Sequence, residues 1–294
     1  MIGPTAPKQC TYDWPNFQSP REFLQFSEAI TRAGESGVWG FINHLSSREA
    51  AQLLSQSIST ESRQQMAFRQ MSGLFAVPVW FEAGIPQSFQ WSLVAPYISQ
   101  CPSNTSRIVF QNFPGLFVTN QANINRISPN DTALNETIGN RVLDPSTTNI
   151  PDDANCLSTN VTGAGCYPGI SRNRSEPLAF PGKQLHLSWE NPGDVIGPNN
   201  SYVKSVGALA DAPRFLALIS QLNTTYVPIT LDAGTNTSGS AFFPNGTTYG
   251  LHNEDPAVNG SVVIAVTSLD LPVTPFNLSA INEYTIAVGL LQAG

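Results

Sequence analysis

The stretch from Ser46 to Phe75 reads as one long helix with an acid where an apolar residue is expected. At about 100° per residue, Ala50, Leu54, Ile58, Phe68, Met71 and Phe75 share a stripe; Glu61 lies in its middle, with Gln64 and Gln65 beside it. A carboxylate facing a core is costly unless it is paired, hydrogen-bonded, protonated or bound to metal. Glu61 is therefore the first candidate for a functional group.

The start of that helix fixes what must lie beside it. Ser46-Ser47-Arg48-Glu49 carries a capping serine and a glutamate three residues on, and Ser19-Pro20-Arg21-Glu22 repeats the design with proline at the first helical position. Two capping boxes this close predict an antiparallel helix hairpin. Its first arm, residues 20 to 45, is expected to bury Phe23, Phe26, Ile30, Ala33, Gly37 and Phe41 and to carry Glu35 on the margin of that stripe. Gly34, Gly37 and Gly40 weaken the helix and so predict close approach of a neighbouring element. His44, near the helix end, is read as a core or C-capping residue rather than a ligand. Val77 to Phe81 should cross the helices in extended form, and Pro86 opens a short third helix stopped by Cys101-Pro102.

From 103 to 183 Asn, Thr, Ser, Pro and Gly dominate, which predicts long loop with short apolar pieces at Ile108 to Phe110 and Leu116 to Val118. From Gln184 the period changes to two, and β-rich runs follow near Tyr202 to Val206, Phe215 to Ile219, Thr225 to Leu231, Val262 to Thr267 and Tyr284 to Leu290. The expected fold is α+β. A partial helical bundle (1–102) leads through a loop region (103–183) into a β-rich, antiparallel sandwich-like domain (184–294).

Composition narrows the partners. Charged residues make up 12% of the chain, the formal net charge is −7, and no basic cluster occurs, which excludes an electrostatic footprint for nucleic acid or anionic membrane. No run of apolar residues is long enough to span a bilayer. The four cysteines lack metal spacing and are read as disulfides; of the three pairings, Cys10 with Cys101 and Cys156 with Cys166 is preferred. Eleven Asn-x-Ser/Thr sequons, at Asn104, Asn130, Asn135, Asn160, Asn173, Asn199, Asn223, Asn236, Asn245, Asn259 and Asn277, fit a secreted product in which sugar replaces charge as the solubilising coat. No signal peptide opens the chain, so the export reading requires a longer precursor.

Hydrolase, zinc-protease and nucleotide-binding motifs are absent. What remains is Glu35 and Glu61 on adjacent helices, with Gln64 three residues after Glu61. Dinuclear carboxylate sites in four-helix bundles take one Glu from each of two helices and Glu-x-x-His from each of the other two. This chain supplies a lone Glu and a Glu-x-x-Gln, a weaker ligand set for iron or manganese. The competing reading is a polar core network in which Arg32, Arg63, Arg69 or glutamines hold Glu61.

The runs Thr31 to Gly37, Thr60 to Met66, Pro78 to Glu82 and Pro96 to Ile98 resemble the fungal secreted stress-response proteins of the ferritin-like, desiccation-related family. Further similarity lies at Gly197 to Tyr202, Asp255 to Gly260 and Gln292 to Gly294. The resemblance implies a ferritin-like helical domain, a β-rich region and secretion. It also implies a signal peptide and two further helices, carrying the other Glu and a Glu-x-x-His, upstream of this chain's Met1. Glu35 and Glu61 are then carboxylate ligands with Gln64 peripheral, in an incomplete or vestigial site for iron or manganese. The apolar helix face is expected to be covered by those upstream helices or by a second copy. Two other functions are open: a dinuclear iron or manganese oxidase or peroxide-consuming enzyme, and a cell-wall glycan-binding module using Trp189 or Tyr202 of the β-rich half.

Overall fold

The computed structural model describes residues 8–17, 20–71, 76–103, 108–119, 182–245 and 258–293. The Cys156 with Cys166 pairing, the capping residue Ser19, and the sequons at Asn104, Asn130, Asn135, Asn160 and Asn173 lie outside these residues.

The chain opens with a two-residue strand β1 (Thr11–Tyr12), followed by α1 (Pro20–Phe41), α2 (Arg48–Met71) and α3 (Gln87–Val94). Strand β2 (Ile98–Gln100) pairs antiparallel with β1, and the disulfide Cys10–Cys101 closes this pair at its end. The preferred partner for Cys10 is thus the observed one. Helix α1 stops earlier than expected, giving way to a 3-10 turn over Ile42–His44. Its successor is capped by Ser47 and not Ser46: the Ser47 hydroxyl accepts the Ala50 backbone N–H at 3.1 Å and donates to Glu49 Oε2 at 2.9 Å.

The remaining strands are β3 (Gly115–Val118), β4 (Gln184–Trp189), β5 (Val195–Ile196), β6 (Tyr202–Val203), β7 (Phe215–Ser220), β8 (Asn223–Pro228), β9 (Thr230–Leu231), β10 (Ser238–Phe242), β11 (Ser261–Thr267) and β12 (Thr285–Gln292). Where a sandwich-like region is expected, the structure has one eight-stranded sheet in the order β8-β7-β11-β12-β3-β4-β10-β9. Every pairing in it is antiparallel except β12 with β3. The sheet curls until β8 comes near β10, almost closing a barrel. The apolar piece Leu116 to Val118, in the stretch expected to be loop, supplies β3. Strand β10, Ser-Gly-Ser-Ala-Phe, is polar and glycine-bearing and was not expected from the sequence.

Alternation along the strands explains the two cores. In β11 all seven residues are buried, Val262, Ile264 and Val266 facing the concave core with Leu185, Leu187 and Leu216. Val263 and Ala265 face the other way, against Ile85, Phe89, Leu278 and Ile281. A strand buried on both faces reads as a continuous apolar run, as Ser-Val-Val-Ile-Ala-Val-Thr does. The helical layer therefore lies on the outer face of the central strands, and the link from 83 to 93 is the wedge between α1 and the sheet.

Gly37 and Gly40 have the close neighbours that their cost implies, whereas Gly34 has room for a Cβ. A Cβ on Gly34 would lie 3.6 Å from Glu61 Oε2, one on Gly37 would overlap the Gln90 amide, and one on Gly40 would lie 1.9 Å from the Ile85 carbonyl oxygen. Gln90 can swing away, but backbone cannot, and Ile85 is held by its N–H donating to the Ser36 carbonyl at 3.0 Å. Gly40→Ala should cost about 3 kcal/mol, the upper end for overpacking, read as a lowered urea midpoint with unchanged slope. An unchanged midpoint would show that the link over α1 yields freely.

Candidate functional site

The α1–α2 hairpin meets along polar rungs. Glu28 on α1 faces Arg69 on α2, with Arg69 Nη1 donating to Glu28 Oε1 at 2.9 Å. One turn on, Arg32 reaches three acceptors: its Nε donates to the Ser261 carbonyl at 2.9 Å, its Nη1 pairs with Glu82, and the same nitrogen lies 3.5 Å from Glu35 Oε2. At the next rung the Ser62 hydroxyl donates to Glu35 Oε1 at 2.5 Å. Ser261 opens β11, so Arg32 fastens the hairpin to the central sheet, and the Ser261 hydroxyl repeats the tie by donating to Glu28 Oε1 at 2.7 Å.

These groups are out of water. Glu35 is 0% exposed, Arg69 1%, Glu28 2% and Arg32 6%. Burial, the largest influence, pulls both guanidinium pKa values down; Glu35 supports the charge on Arg32, and Glu28 that on Arg69. Isolated charges of this kind would be prohibitive, so the alternation of acid and arginine along the seam is what permits it.

Glu61 sits beside this seam, partly exposed. Burial first, and the neighbouring Glu35 second, push its carboxyl above the ordinary range, and a hydrogen bond with Ser57 works in the opposite direction. The structure thus brings Glu35 and Glu61 together but not Gln64, which is exposed. The arginines expected around Glu61 are placed differently: Arg32 holds Glu35 and Glu82, Arg69 holds Glu28, and Arg63 is exposed with Nη2 on the Thr60 hydroxyl at 3.1 Å. His44 and His186 are exposed.

Two acids alone do not make a dinuclear centre. Among the described residues no group of three or more His, Cys, Asp or Glu side chains is disposed to hold a metal ion. Glu35 has one oxygen on Ser62 and faces Arg32 with the other, which has no hydrogen-bond partner. A carboxylate oriented by a hydroxyl and balanced by a guanidinium is a weak start for a metal pair, and the described residues do not fit one.

Sequence reasoning missed Glu28, Ser62, Glu82 and Ser261 as members of the seam. A signal was present on the helices: Glu28, Arg32 and Glu35 recur at helical spacing, as do Ser62, Gln65 and Arg69. Glu82 and Ser261 come from distant segments and carry no such pattern.

In the β-rich half, Trp189 and Tyr202 are 5% and 9% exposed, and neither presents a face on which a sugar ring can stack. The side chains of Asn199, Asn223, Asn236, Asn245 and Asn277 are exposed. Asn259 differs: half-buried, it donates from Nδ2 to the Pro78 carbonyl at 3.3 Å and accepts the Gly260 N–H on Oδ1 at 3.0 Å.

Residues 1–74 match the family described as Ferritin-like domain. Protein rds1 of Schizosaccharomyces pombe is 42% identical over 288 residues, which covers 98% of this chain. The chain spans 64% of the length of that relative. The N-terminal region is accordingly ferritin-like in sequence, and similarity to the fungal relative runs through the β-rich region as well.

Proposed function

We propose that this chain is a ferritin-like stress-response protein, secreted and glycosylated, whose helix hairpin keeps a two-carboxylate remnant of a dinuclear centre rather than a working one. The observation that carries this reading is the state of Glu35: fully buried, held by Ser62 and balanced by Arg32. The similarity to a longer fungal protein supports the family, and the exposed Asn side chains are compatible with glycans. Phe23 and Phe41, expected in the buried stripe of α1, stand exposed with Leu53 on the hairpin, and we read them as the face that upstream helices of a longer chain, or a second copy, would cover.

Elemental analysis after incubation with ferrous and manganous ions and dialysis tests the remnant. The expected result is substoichiometric metal, unchanged in Glu61→Gln. The same variant has a second readout. A carboxyl whose folded-state pKa is raised carries a penalty that is absent below the unfolded value and grows as pH rises through the folded one. Glu61→Gln should therefore be at least as stable as the parent at neutral pH and no different below about pH 4. Two equivalents of iron or manganese per chain, lost in Glu61→Gln, would overturn the reading in favour of a dinuclear oxidase or peroxide-consuming enzyme.

A further inference from the structure

Strands β3, β4 and β10 turn one face to the concave core, where Leu116, Leu185, Leu187 and Ala241 are buried. Side chains alternate along a strand, so the residues between these point outward. The helical layer covers the outer side at β7, β11 and β12, through Ala217, Ile219, Val263, Ala265 and Val288. On β3, β4 and β10 the same side reaches solvent. Phe117 of β3 and Phe242 of β10 are each more than half exposed there, and Gln184 and His186 of β4 are exposed between them.

The register places the two rings. Phe117 pairs with Ser188 and Phe242 with Gln184, so they flank β4 on opposite sides and at opposite ends. At ordinary strand spacing and rise their Cα atoms lie about 16 Å apart on a diagonal. His186 is midway, because it pairs with Ser240, two residues before Phe242. Gly115 lets Phe117 recline: a Cβ on Gly115 would lie 3.2 Å from Phe117 Cζ, so the ring leans along the strand. Between the rings the surface carries hydroxyl, amide and imidazole groups and no acid, lysine or arginine. Gln184 Nε2 donates to the Ser240 hydroxyl at 2.8 Å. The acids at the rim are engaged, Asp232 accepting from the Ser238 hydroxyl at 2.5 Å and Glu190 paired with Lys204.

An apolar partner requires a continuous patch and an ion requires unmatched charge, and this face offers neither. Two aromatic faces separated by hydroxyl and amide groups match a sugar chain, whose rings present apolar C–H faces edged by hydroxyls. The negative face of an aromatic ring attracts polarised C–H groups, and the sugar hydroxyls exchange hydrogen bonds with serine and glutamine side chains. The diagonal is longer than one sugar ring, so an oligosaccharide and not a monosaccharide touches both phenylalanines. A straight, uncharged track selects an extended and neutral chain. We propose that the uncovered face of β3, β4 and β10 binds a neutral, extended β-linked polysaccharide of the cellulose or chitin type, stacked on Phe117 and Phe242 and hydrogen-bonded to Gln184 and Ser240. The site uses neither Trp189 nor Tyr202 and is independent of the Glu35 and Glu61 pair.

Isothermal titration calorimetry with cellohexaose, chitohexaose, maltohexaose and glucose tests it, on chain produced without N-glycans so that sugar on Asn236 or Asn245 cannot compete. Cellohexaose or chitohexaose should bind, the tighter of the two naming the polymer. Maltohexaose, which curves, and glucose, which reaches one ring, should bind more weakly by about tenfold or more. Phe117→Ala and Phe242→Ala should each weaken binding about tenfold, the worth of one aromatic contact, and together abolish it. Both side chains are exposed, so the melting temperature should not move. Phe242→Trp, which enlarges the stacking face, should bind at least as tightly as the parent. The proposal is overturned if neither β-linked hexaose binds the parent, if glucose or maltohexaose binds as tightly, or if the folded double alanine variant still binds. A dimer that dissociates in the double variant, with no sugar taken up by the parent, would assign the face to a second copy instead.

Discussion

Arg69→Met should destabilise the chain by about 3–5 kcal/mol, because it leaves Glu28 charged and buried without its cation. The rung is dry on both sides: Arg69 is 1% exposed, Glu28 2%, and the bond between them is 2.9 Å. Salt will not screen such a pair, unlike one on the surface. The loss is a penalty for uncompensated charge, and this separates it from lost packing. Changing both residues, Glu28→Met with Arg69→Met, should recover most of the stability, since two apolar side chains of similar volume leave no charge behind. The Ser261 hydroxyl would lose Glu28 as an acceptor in the double variant but still has the Gln292 amide oxygen at 2.7 Å. Urea denaturation of the two single variants and the double variant measures the coupling as a cycle. If Arg69→Met costs under about 1 kcal/mol, the ion pair is not buried in solution as described.

The same rung shows what the sequence could and could not disclose. Glu61 drew attention because it interrupts an apolar stripe, yet the most buried positions of α2 are Ile58, Gln65 and Arg69. The true inner face is polar for half its length. Hydrophobic periodicity finds a helix face by its apolar members and rotates the estimate when polar residues are buried in pairs. Glu35, placed on the margin of α1, is at the centre of contact for that reason. The glycines were a better guide, because the cost of Gly37 and Gly40 inside a helix is repaid only by close approach, and Gln90 and Ile85 are what approach. Strands β7, β11 and β12 were legible from their apolar runs, β-branched in β11. Their arrangement in one curled sheet was not, because joining β3 to β12 is a long-range pairing that local pattern does not encode.

Removing the Cys10–Cys101 bond should cost about 4–5 kcal/mol, because it ties residues 91 apart in sequence and so restricts a long segment of the unfolded chain. The bond encloses α1, α2 and α3, all the α-helices among the described residues. Most of the loss should come from the unfolded state, because the folded chain holds this end by other means. Trp14 packs on Phe26 and on Tyr97, both at 5.7 Å between ring centroids, and Phe26 meets Tyr97 at 5.1 Å. The Asp13 N–H also donates to the Tyr97 carbonyl at 2.9 Å. The Cys10→Ala, Cys101→Ala double variant should therefore melt lower by roughly 10–15 °C while its segment 8–17 remains as resistant to protease at room temperature as in the parent. Two outcomes would contradict this account. A melting temperature within a degree or two of the parent would mean that the unfolded chain is compact enough for the tie to restrict little. Rapid cleavage near Trp14 under native conditions would mean that the disulfide, and not the aromatic cluster, holds the amino-terminal segment against the helices.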